Sequence, residues 1–271
     1  MTLRSIERAL RDAGIENYAS EARCLCAHFT GFSEAHLLSM RDTELDAPEL
    51  CEAVRRRVRR EPLQYILGEW EFMGLPFSVS PACLIPRPET ETLVETALTH
   101  LPENSRVADF CTGSGCIGIS IAHFRRDVFV TAVELYENAA LMAEKNAVRL
   151  GVADRFTVQR GDVTRMKFPH GTAFHMIVAN PPYIALNEME SLAPELSYEP
   201  RTALTDGGDG LSVACGVLRI ASETLSPDGV LLMEIGSSQG EAVSGLAGKA
   251  GFRHEILRDL CGRDRILFCR R

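Results

Sequence analysis

The chain has 271 residues, of which 45% are hydrophobic and 24% are charged, an ordinary balance for a globular protein with a sizeable core. Its formal net charge of −8 argues against a dedicated nucleic-acid-binding protein, because phosphate backbones are bound mainly through lysine and arginine. It has no apolar run of membrane-spanning length and no signal-peptide pattern, so we expect a cytoplasmic protein that does not bind membranes.

The nine cysteines are scattered and form no Cys-x-x-Cys pair, although Cys24 and Cys26 lie close together. A cytoplasmic protein keeps its thiols reduced, so we interpret all nine as free and mostly buried. The seven histidines do not cluster with the cysteines, and we therefore predict no metal site.

Residues 1 to about 75 are predicted to form a small helical bundle. Apolar residues recur at helical spacing, beginning with Leu3, Ile6 and Leu10. Ser33 can cap a short helix, and Pro48 suits the first turn of the helix that follows. No alternating strand pattern appears in this part of the chain.

That last helix ends in five arginines, Arg55, Arg56, Arg57, Arg59 and Arg60. We favour a solvent-facing helix surface whose cations complement the negative end of the helix dipole. The alternative is a basic patch that binds an acidic partner or an RNA backbone.

Aromatic residues and glycines at 63–80 predict a β-hairpin around Gly74-Leu75-Pro76. Pro88 then begins a helix, with Glu89 and Glu91 near its positive end. We therefore expect a helical domain at residues 1–62, a hairpin linker at 63–82 and a larger domain at 83–271.

From residue 107 onward, short apolar strands alternate with helices. The predicted strands are 107–110, 128–133, 156–159, 176–179, 230–234, 254–257 and 265–268, and the predicted helices are 116–124, 139–150, 211–225 and 241–250. This alternation indicates an α/β fold whose mostly parallel sheet is covered by helices on both faces, with an antiparallel final pair. Residues 184–209 are predicted to be a long loop, and loops of that length are usually functional or mobile.

The ends of the first three strands in this region carry residues suited to a nucleoside cofactor. The loop Cys111-Thr112-Gly113-Ser114-Gly115 precedes a helix, so its glycines allow close approach of a ligand and the helix start offers N–H donors to an anion. Glu134 ends the second strand, where an acidic residue of this architecture binds ribose hydroxyls. Asp162 follows the third strand and suits an adenine amino group, with Val163 against the ring.

The fourth strand ends at Asn180-Pro181-Pro182-Tyr183, where the two prolines stop the strand and stiffen the turn. Asn180 Oδ1 and the Pro181 carbonyl can accept both N–H bonds of a planar amino group, and Tyr183 can stack on its plane. We predict all four residues to be catalytic and substrate-binding, with Asn180 also next to the cofactor. Because this turn suits a nitrogen nucleophile, S-adenosyl-L-methionine fits better than NAD, and S-adenosyl-L-homocysteine would be the product.

The sequence resembles the HemK/PrmC family, the protein-(glutamine N5) methyltransferases that modify peptide chain release factors. The motifs that carry the resemblance extend over nearly the whole chain. They are Gln64-Tyr65-Ile66-Leu67-Gly68, Ile85-Pro86-Arg87-Pro88-Glu89-Thr90, Thr112-Gly113-Ser114-Gly115, Asn180-Pro181-Pro182-Tyr183, Glu199-Pro200-Arg201-Thr202-Ala203-Leu204, Asp209-Gly210-Leu211, Glu234-Ile235-Gly236 and Asp259-Leu260-Cys261-Gly262.

The resemblance implies a helical amino-terminal domain, a hairpin linker and a seven-stranded, Rossmann-like class I S-adenosylmethionine-dependent methyltransferase domain. It implies that Asn180 and the following prolines hold the glutamine of a Gly-Gly-Gln loop in a release factor, the expected partner. Neither direct nucleic-acid binding nor a membrane is expected, and the protein is expected to be a monomer. Cys111 stands where many members have glycine, and Glu134 where aspartate is common; a cysteine fits at 111 if its φ is negative.

Three alternatives share some or all of these motifs. A glutamine methyltransferase of a ribosomal protein would share every one of them. An adenine-N6 or cytosine-N4 methyltransferase would use the same turn for a base, but it usually requires a basic cleft or base-flipping elements. A non-catalytic S-adenosylmethionine-binding module would not need an intact Asn180 and Tyr183.

Overall fold

The structure is a computed structural model that describes residues 1–271. Contacts divide the chain into two compact units. The first contains Met1–Glu69 together with the short segment Ala193–Tyr198. The second contains Trp70–Leu192 and Glu199–Arg271. None of the helices has the length and apolar character needed to cross a bilayer.

The first unit is built from helices, as the periodicity of its apolar residues predicts. They are α1 (Leu3–Asp12), α2 (Tyr18–Thr30), α3 (Glu34–Ser39), α4 (Pro48–Val58) and α5 (Leu63–Leu67). The apolar residues Leu3, Ile6 and Leu10 of α1 are fully buried. Ser33 caps α3 as predicted, since its Oγ accepts a hydrogen bond from the His36 amide at 3.3 Å. The region predicted to be a hairpin linker begins instead with the helix α5. This helix was not predicted, because five residues are too few to show a helical period in the sequence.

The arginines at the end of α4 do not form one solvent-facing surface. Arg57 is buried, and its guanidinium contacts Glu21 at 2.5 Å and Glu195 at 3.1 Å. Arg60 also pairs with Glu195, at 2.9 Å, and Tyr198 donates a hydrogen bond to the Arg59 carbonyl at 2.7 Å. The solvent-facing interpretation is wrong for Arg57, because a buried cation needs anionic partners and finds them in α2 and in the segment Ala193–Tyr198.

The second unit starts with the predicted hairpin and continues as an alternating α/β fold. The hairpin strands are β1 (Glu69–Phe72) and β2 (Leu75–Ser78). The remaining strands are β3 (Arg106–Phe110), β4 (Phe129–Glu134), β5 (Phe156–Arg160), β6 (Phe174–Ala179), β7 (Leu225–Glu234), β8 (Arg253–Arg258) and β9 (Asp264–Arg270). The helices are α6 (Pro88–His100), α7 (Cys116–Phe124), α8 (Glu137–Arg149), α9 (Arg201–Leu204), α10 (Ser212–Thr224) and α11 (Gly240–Lys249).

Seven strands form one sheet in the order β5-β4-β3-β6-β7-β9-β8. The first five are parallel, and β8 and β9 form the predicted antiparallel pair. β9 also runs antiparallel to β7. The strand order reverses between β3 and β6, and ligands of open α/β sheets bind outside the strand ends at such a switch point. Phe110 pairs with Ala179 in the register, so the segments that begin at Cys111 and at Asn180 leave the sheet side by side.

The core lies on both faces of this sheet. Met176 and Val178 of β6 face one apolar cluster, whereas Ile177 and Ala179 of the same strand face the other. A strand that is buried on both faces has a continuous apolar sequence, and β6 has this pattern.

The region 184–209 is not the structureless loop that we predicted. It contains two short 3₁₀ helices, Leu186–Ser191 and Pro194–Tyr198, followed by α9. These elements have four to six residues each, too few for apolar periodicity to be visible in the sequence.

Candidate active site

A cavity of about 640 Å³ opens at the carboxyl edge of the sheet in the second unit. It is lined by most of the residues that the sequence singled out, namely Cys111, Thr112, Gly113, Ser114, Glu134, Asp162, Val163, Asn180 and Pro182. The other three, Gly115, Pro181 and Tyr183, are not part of its lining. One cavity therefore brings together residues that follow four different strands.

The glycine loop after β3 is shaped by its two glycines and by polar contacts to its neighbours. Gly115 has a φ of 83°, and a Cβ at this position would lie 2.5 Å from Ile119 Cδ1, so a side chain here would disturb the start of α7. The Asn146 amide of α8 donates to the Ser114 carbonyl at 2.9 Å. The Ser114 hydroxyl is buried and has no hydrogen-bond partner in the protein. The loop is thus fixed and still carries a free polar group.

Cys111 does not meet the condition set for it by the sequence. Its φ is 60°, in the left-handed region, so the condition of a negative φ is not met. The chain turns sharply here as it leaves β3, and a side chain in this conformation has its Cβ too close to the following carbonyl oxygen. Burial also raises the pKa of the Cys111 thiol, which keeps it protonated at neutral pH.

Thr112 ties the loop to a buried carboxyl group. Its hydroxyl donates to Asp109 Oδ2 at 2.5 Å, and the Gly118 amide donates to the same oxygen at 3.0 Å. The second oxygen, Oδ1, is buried without a partner. Burial raises the pKa of Asp109 to about 7.

Glu134 ends β4 and is almost fully buried at the cavity wall. Its Oε2 accepts a hydrogen bond from the Gly113 amide at 2.9 Å, and its Oε1 accepts from the amides of Leu135 at 2.9 Å and Tyr136 at 3.0 Å. These bonds fix the carboxylate in one orientation. Oε2 uses only one of its acceptor positions in them, so it can accept a further bond from a ligand hydroxyl.

Asp162 is held in the turn that follows β5. Its Oδ1 accepts from the Thr164 hydroxyl at 2.6 Å and from the Thr164 amide at 2.9 Å. The hydroxyl bond makes the largest contribution to lowering the pKa of Asp162, so the group is a carboxylate and acceptor at neutral pH. Val163 beside it is buried and supplies an apolar wall.

Asn180 begins the proline turn and is connected to two buried side chains. Its Nδ2 lies 3.4 Å from Thr90 Oγ1, and the Thr90 hydroxyl donates to Glu234 Oε2 at 2.7 Å. The Tyr183 hydroxyl donates to the other oxygen, Glu234 Oε1, at 3.2 Å. Tyr183 is therefore turned towards Glu234, and burial raises the pKa of its phenol.

Gln239 holds the far end of the same turn and was missed by the sequence analysis. Its Nε2 donates to the Tyr183 carbonyl at 2.9 Å, while its Oε1 accepts from the Gly236 amide at 2.9 Å. Gly210 passes so close that a Cβ there would lie 2.1 Å from the Tyr183 carbonyl oxygen. No local pattern joins residues so far apart in sequence, so only the fold could reveal this contact.

Arg87 lines another wall of the cavity and is held there by Glu199. The Arg87 guanidinium pairs with Glu199 Oε1, and Glu199 Oε2 accepts from the Ile85 amide at 3.1 Å. Both residues stand in motifs that carry the family resemblance. Their pairing fixes the segment before α6 to the segment before α9.

The arrangement has the parts needed to hold a nucleoside beside a nitrogen nucleophile. Fixed carboxylates at two strand ends can accept hydrogen bonds, and the glycine loop leaves room for close approach of a ligand. Asn180 stands at the same edge with a carboxamide anchored on one side.

Two family models match the chain. "PrmC N-terminal domain" matches residues 2–68, and "Methyltransferase small domain" matches residues 89–226. The first match falls in the first unit, and the second falls in the second unit except for residues 193–198, which belong to the first.

Relatives named release factor glutamine methyltransferase are similar over nearly the whole chain. The release factor glutamine methyltransferase of Moorella thermoacetica is 40% identical over 265 residues, which cover 95% of this chain and 93% of the relative. That of Neisseria gonorrhoeae is 41% identical over 250 residues, which cover 91% of each chain.

Solved methyltransferase structures share the fold at low sequence identity. A methyltransferase of Pyrococcus furiosus superimposes with a TM-score of 0.54 and 17% identity, covering 73% of this chain and 90% of that one. A ribosomal protein L11 methylase of Lactobacillus delbrueckii subsp. bulgaricus gives a TM-score of 0.51 and 18% identity, covering 71% and 83%. These likenesses confirm the class I methyltransferase fold, and together with the family models and the relatives they show that this chain belongs to the release factor glutamine methyltransferase family.

Proposed function

We propose that this protein transfers a methyl group from S-adenosyl-L-methionine to the side-chain N5 of the glutamine in the Gly-Gly-Gln motif of peptide chain release factors. S-adenosyl-L-homocysteine is the second product. The observation that carries the proposal is the anchored Asn180 carboxamide at the edge of a cavity that fits a nucleoside. Membership of the family supports the same reaction.

The cavity residues fit the proposed cofactor. Glu134 offers an oriented acceptor for ribose hydroxyls, and Asp162 offers one for an adenine amino group, with Val163 against the ring. The buried Ser114 hydroxyl lacks a partner. The amides of Thr112, Gly113 and Gly115 already donate within the protein, so those of Ser114 and of Cys116 and Ile117 at the start of α7 would be the N–H groups offered to a carboxylate. When bound, S-adenosylmethionine supplies an electrophilic methyl group on a sulfonium.

Asn180 and the proline turn would hold the substrate amide. Asn180 Oδ1 and the Pro181 carbonyl accept its two N–H bonds, while Pro182 lines the cavity beside them. Tyr183 contributes by anchoring the turn through Glu234 and Gln239. An amide nitrogen is a weak nucleophile, so most of the rate enhancement comes from orientation towards the methyl group. The two acceptors also stabilise the positive charge that develops on the nitrogen.

We assign the remaining parts of the chain to recognition and connection. Residues 1–62 would recognise the body of the release factor, and residues 63–82 would link this domain to the next. Residues 83–271 would bind the cofactor and catalyse methyl transfer. The protein would work as a monomer in the cytoplasm, where release factors act, without contacting nucleic acid directly.

The direct test is transfer of labelled methyl groups to a purified release factor and to the same factor with its Gly-Gly-Gln glutamine replaced. We expect label on the first only. Label on a ribosomal protein or a nucleic acid, with none on the release factor, would move the assignment to another substrate.

Replacement of Asn180 tests the role of the turn. Asn180→Ala should lower kcat by about 100-fold or more, because a hydrogen-bond acceptor of the transition state is lost. The Kd of S-adenosylhomocysteine, measured by calorimetry, should change far less than kcat. Asn187→Ala, at an exposed asparagine in the following 3₁₀ helix, is the matched control and should behave as the wild type. Equal turnover of Asn180→Ala and the control would contradict the proposed role.

A further inference from the structure

We propose that Thr90 and Glu234 are positioning residues that determine which end of the Asn180 carboxamide faces the substrate. The inference rests on the proposed function, since it concerns how the turn selects an N–H donor. Neither residue was assigned a role by the sequence analysis, although both stand in motifs that it quoted.

The contacts form a short buried chain. Thr90 of α6 and Glu234 of β7 are 2% and 1% exposed, and they lie 144 positions apart in sequence. Asn180 Nδ2 lies 3.4 Å from Thr90 Oγ1, which lies 2.7 Å from Glu234 Oε2. The remaining carboxylate oxygen accepts from the Tyr183 hydroxyl at 3.2 Å. Both oxygens of Glu234 therefore face hydroxyl groups.

The direction of the hydrogen bonds follows from the chemistry of the three groups. A carboxylate only accepts, and the Thr90 hydroxyl has a single proton, so that proton is given to Glu234. The Thr90 oxygen is then left as an acceptor towards Asn180, whose only donor is its NH2 group. The carboxamide must therefore present Nδ2 to Thr90 and keep Oδ1 for the cavity, where it can accept an N–H bond.

Burial raises the pKa of Glu234, and three contacts oppose that rise. They are the bond from the Thr90 hydroxyl at 2.7 Å, the nearby Arg265 guanidinium and the bond from the Tyr183 hydroxyl at 3.2 Å, and each of them favours the carboxylate form. A neutral side chain at 234 would be able to donate to Thr90, and the Thr90 proton could then point towards Asn180. The Asn180 carboxamide would then rotate and present its NH2 group to the NH2 group of the substrate. No hydrogen bond could form between them, because both groups are donors.

The experiment compares Thr90→Ser with Thr90→Val. Serine keeps the hydroxyl, whereas valine has nearly the same shape and no hydrogen-bonding group. We expect Thr90→Ser to keep kcat within about threefold of the wild type and Thr90→Val to lose about tenfold or more, because Asn180 loses the acceptor that orients it. The Kd of S-adenosylhomocysteine should be unchanged in both.

Two further variants separate orientation from general damage to the fold. Thr96→Val removes a hydroxyl from the same helix that bonds only to the Thr92 carbonyl, so it should leave kcat unchanged. Glu234→Leu keeps a side chain of similar size and removes both acceptor oxygens, so it should lose at least as much kcat as Thr90→Val. Melting temperatures of all variants identify any that unfold.

A second readout does not depend on the substrate. In protein labelled with ¹⁵N at asparagine, the Asn180 side-chain NH2 signals, assigned with Asn180→Ala, should exchange slowly in the wild type and Thr90→Ser. In Thr90→Val they should exchange about tenfold faster or more, because the protecting acceptor is gone.

The two readouts distinguish failure of the inference from failure of the proposed function. An inactive wild type whose Asn180 signals are still protected through Thr90 would overturn the proposed function and keep the inference. An active wild type whose kcat and exchange are the same in Thr90→Val as in Thr90→Ser would overturn the inference alone.

Discussion

At the scale of single residues, Cys111 has the least favourable backbone of the cavity lining. Among its neighbours in the loop, Gly113 and Gly115 also have positive φ, but without a Cβ they adopt it at little cost. A non-glycine residue in the left-handed region costs about 1 to 2 kcal/mol. The strain lies where β3 ends and the loop Cys111–Gly115 begins.

Replacement of Cys111 by glycine and by alanine should separate strain from side-chain packing. Both variants remove the sulfur, but only glycine relieves the positive φ. After allowance for the greater freedom of glycine in the unfolded chain, Cys111→Gly should be more stable than Cys111→Ala by about 1 kcal/mol. Urea unfolding of the two variants measures the difference. Equal stability would show that the left-handed conformation costs no more than the greater freedom of glycine in the unfolded chain, which would contradict the expected strain.

At the scale of elements, the segment Ala193–Tyr198 shows how a buried cation shapes a surface region. Glu195 is the shared partner of Arg57 and Arg60, so the segment is held by charge-assisted bonds rather than by an apolar core. Such bonds contribute more than neutral ones because one partner carries a full charge.

Glu195→Gln should loosen this segment. The amide keeps the shape of the side chain but loses the charge, so amide hydrogen exchange within 193–198 should become about tenfold faster, equivalent to about 1.4 kcal/mol. Glu190→Gln changes an exposed glutamate of the preceding 3₁₀ helix and should leave exchange in 193–198 as it is. The same exchange rate in both variants would mean that Arg57 and Arg60 do not hold the segment.

Elements with a clear period could be predicted from the sequence, and elements without one could not. The helix Cys116–Phe124 agrees residue for residue with its prediction, and the strands around it differ by a few residues at their ends. The helix α5 and the 3₁₀ helices are too short to show a period.

The contacts of Thr90, Glu234 and Gln239 depend on pairs far apart in sequence, which only the assembled sheet brings together. The burial of Arg57 could not be predicted because its partners Glu21 and Glu195 lie 36 and 138 positions away in sequence.

At the scale of the whole molecule, Asp109 makes the folding stability depend on pH. Burial raises its pKa from 3.8 to about 7, with a smaller contribution from the charge of Glu134. Because the folded pKa is the higher one, the contribution of this group to stability is complete below pH 3.8 and is lost as the pH rises to about 7.

The stability difference between the wild type and Asp109→Asn should report this loss. Asparagine does not titrate and can still accept from Thr112 and Gly118, so the titration of other groups cancels in the comparison. The free energy of unfolding of the wild type minus that of the variant should fall by about 2 to 3 kcal/mol between about pH 5 and about pH 7. The slope should be about 1.4 kcal/mol for each pH unit. Urea midpoints at the two pH values give the result, and a constant difference would contradict the raised pKa.

The first unit is discontinuous, because six of its residues come from a point more than a hundred positions further along the chain. Dissection of this protein at residue 69 would therefore remove part of the amino-terminal unit along with the methyltransferase half. Arg57 would keep Glu21 but lose Glu195, and a buried guanidinium missing one of its partners costs about 1 to 3 kcal/mol. A faithful fragment of the helical unit would have to include the peptide Ala193–Tyr198, either grafted through a linker or added in trans.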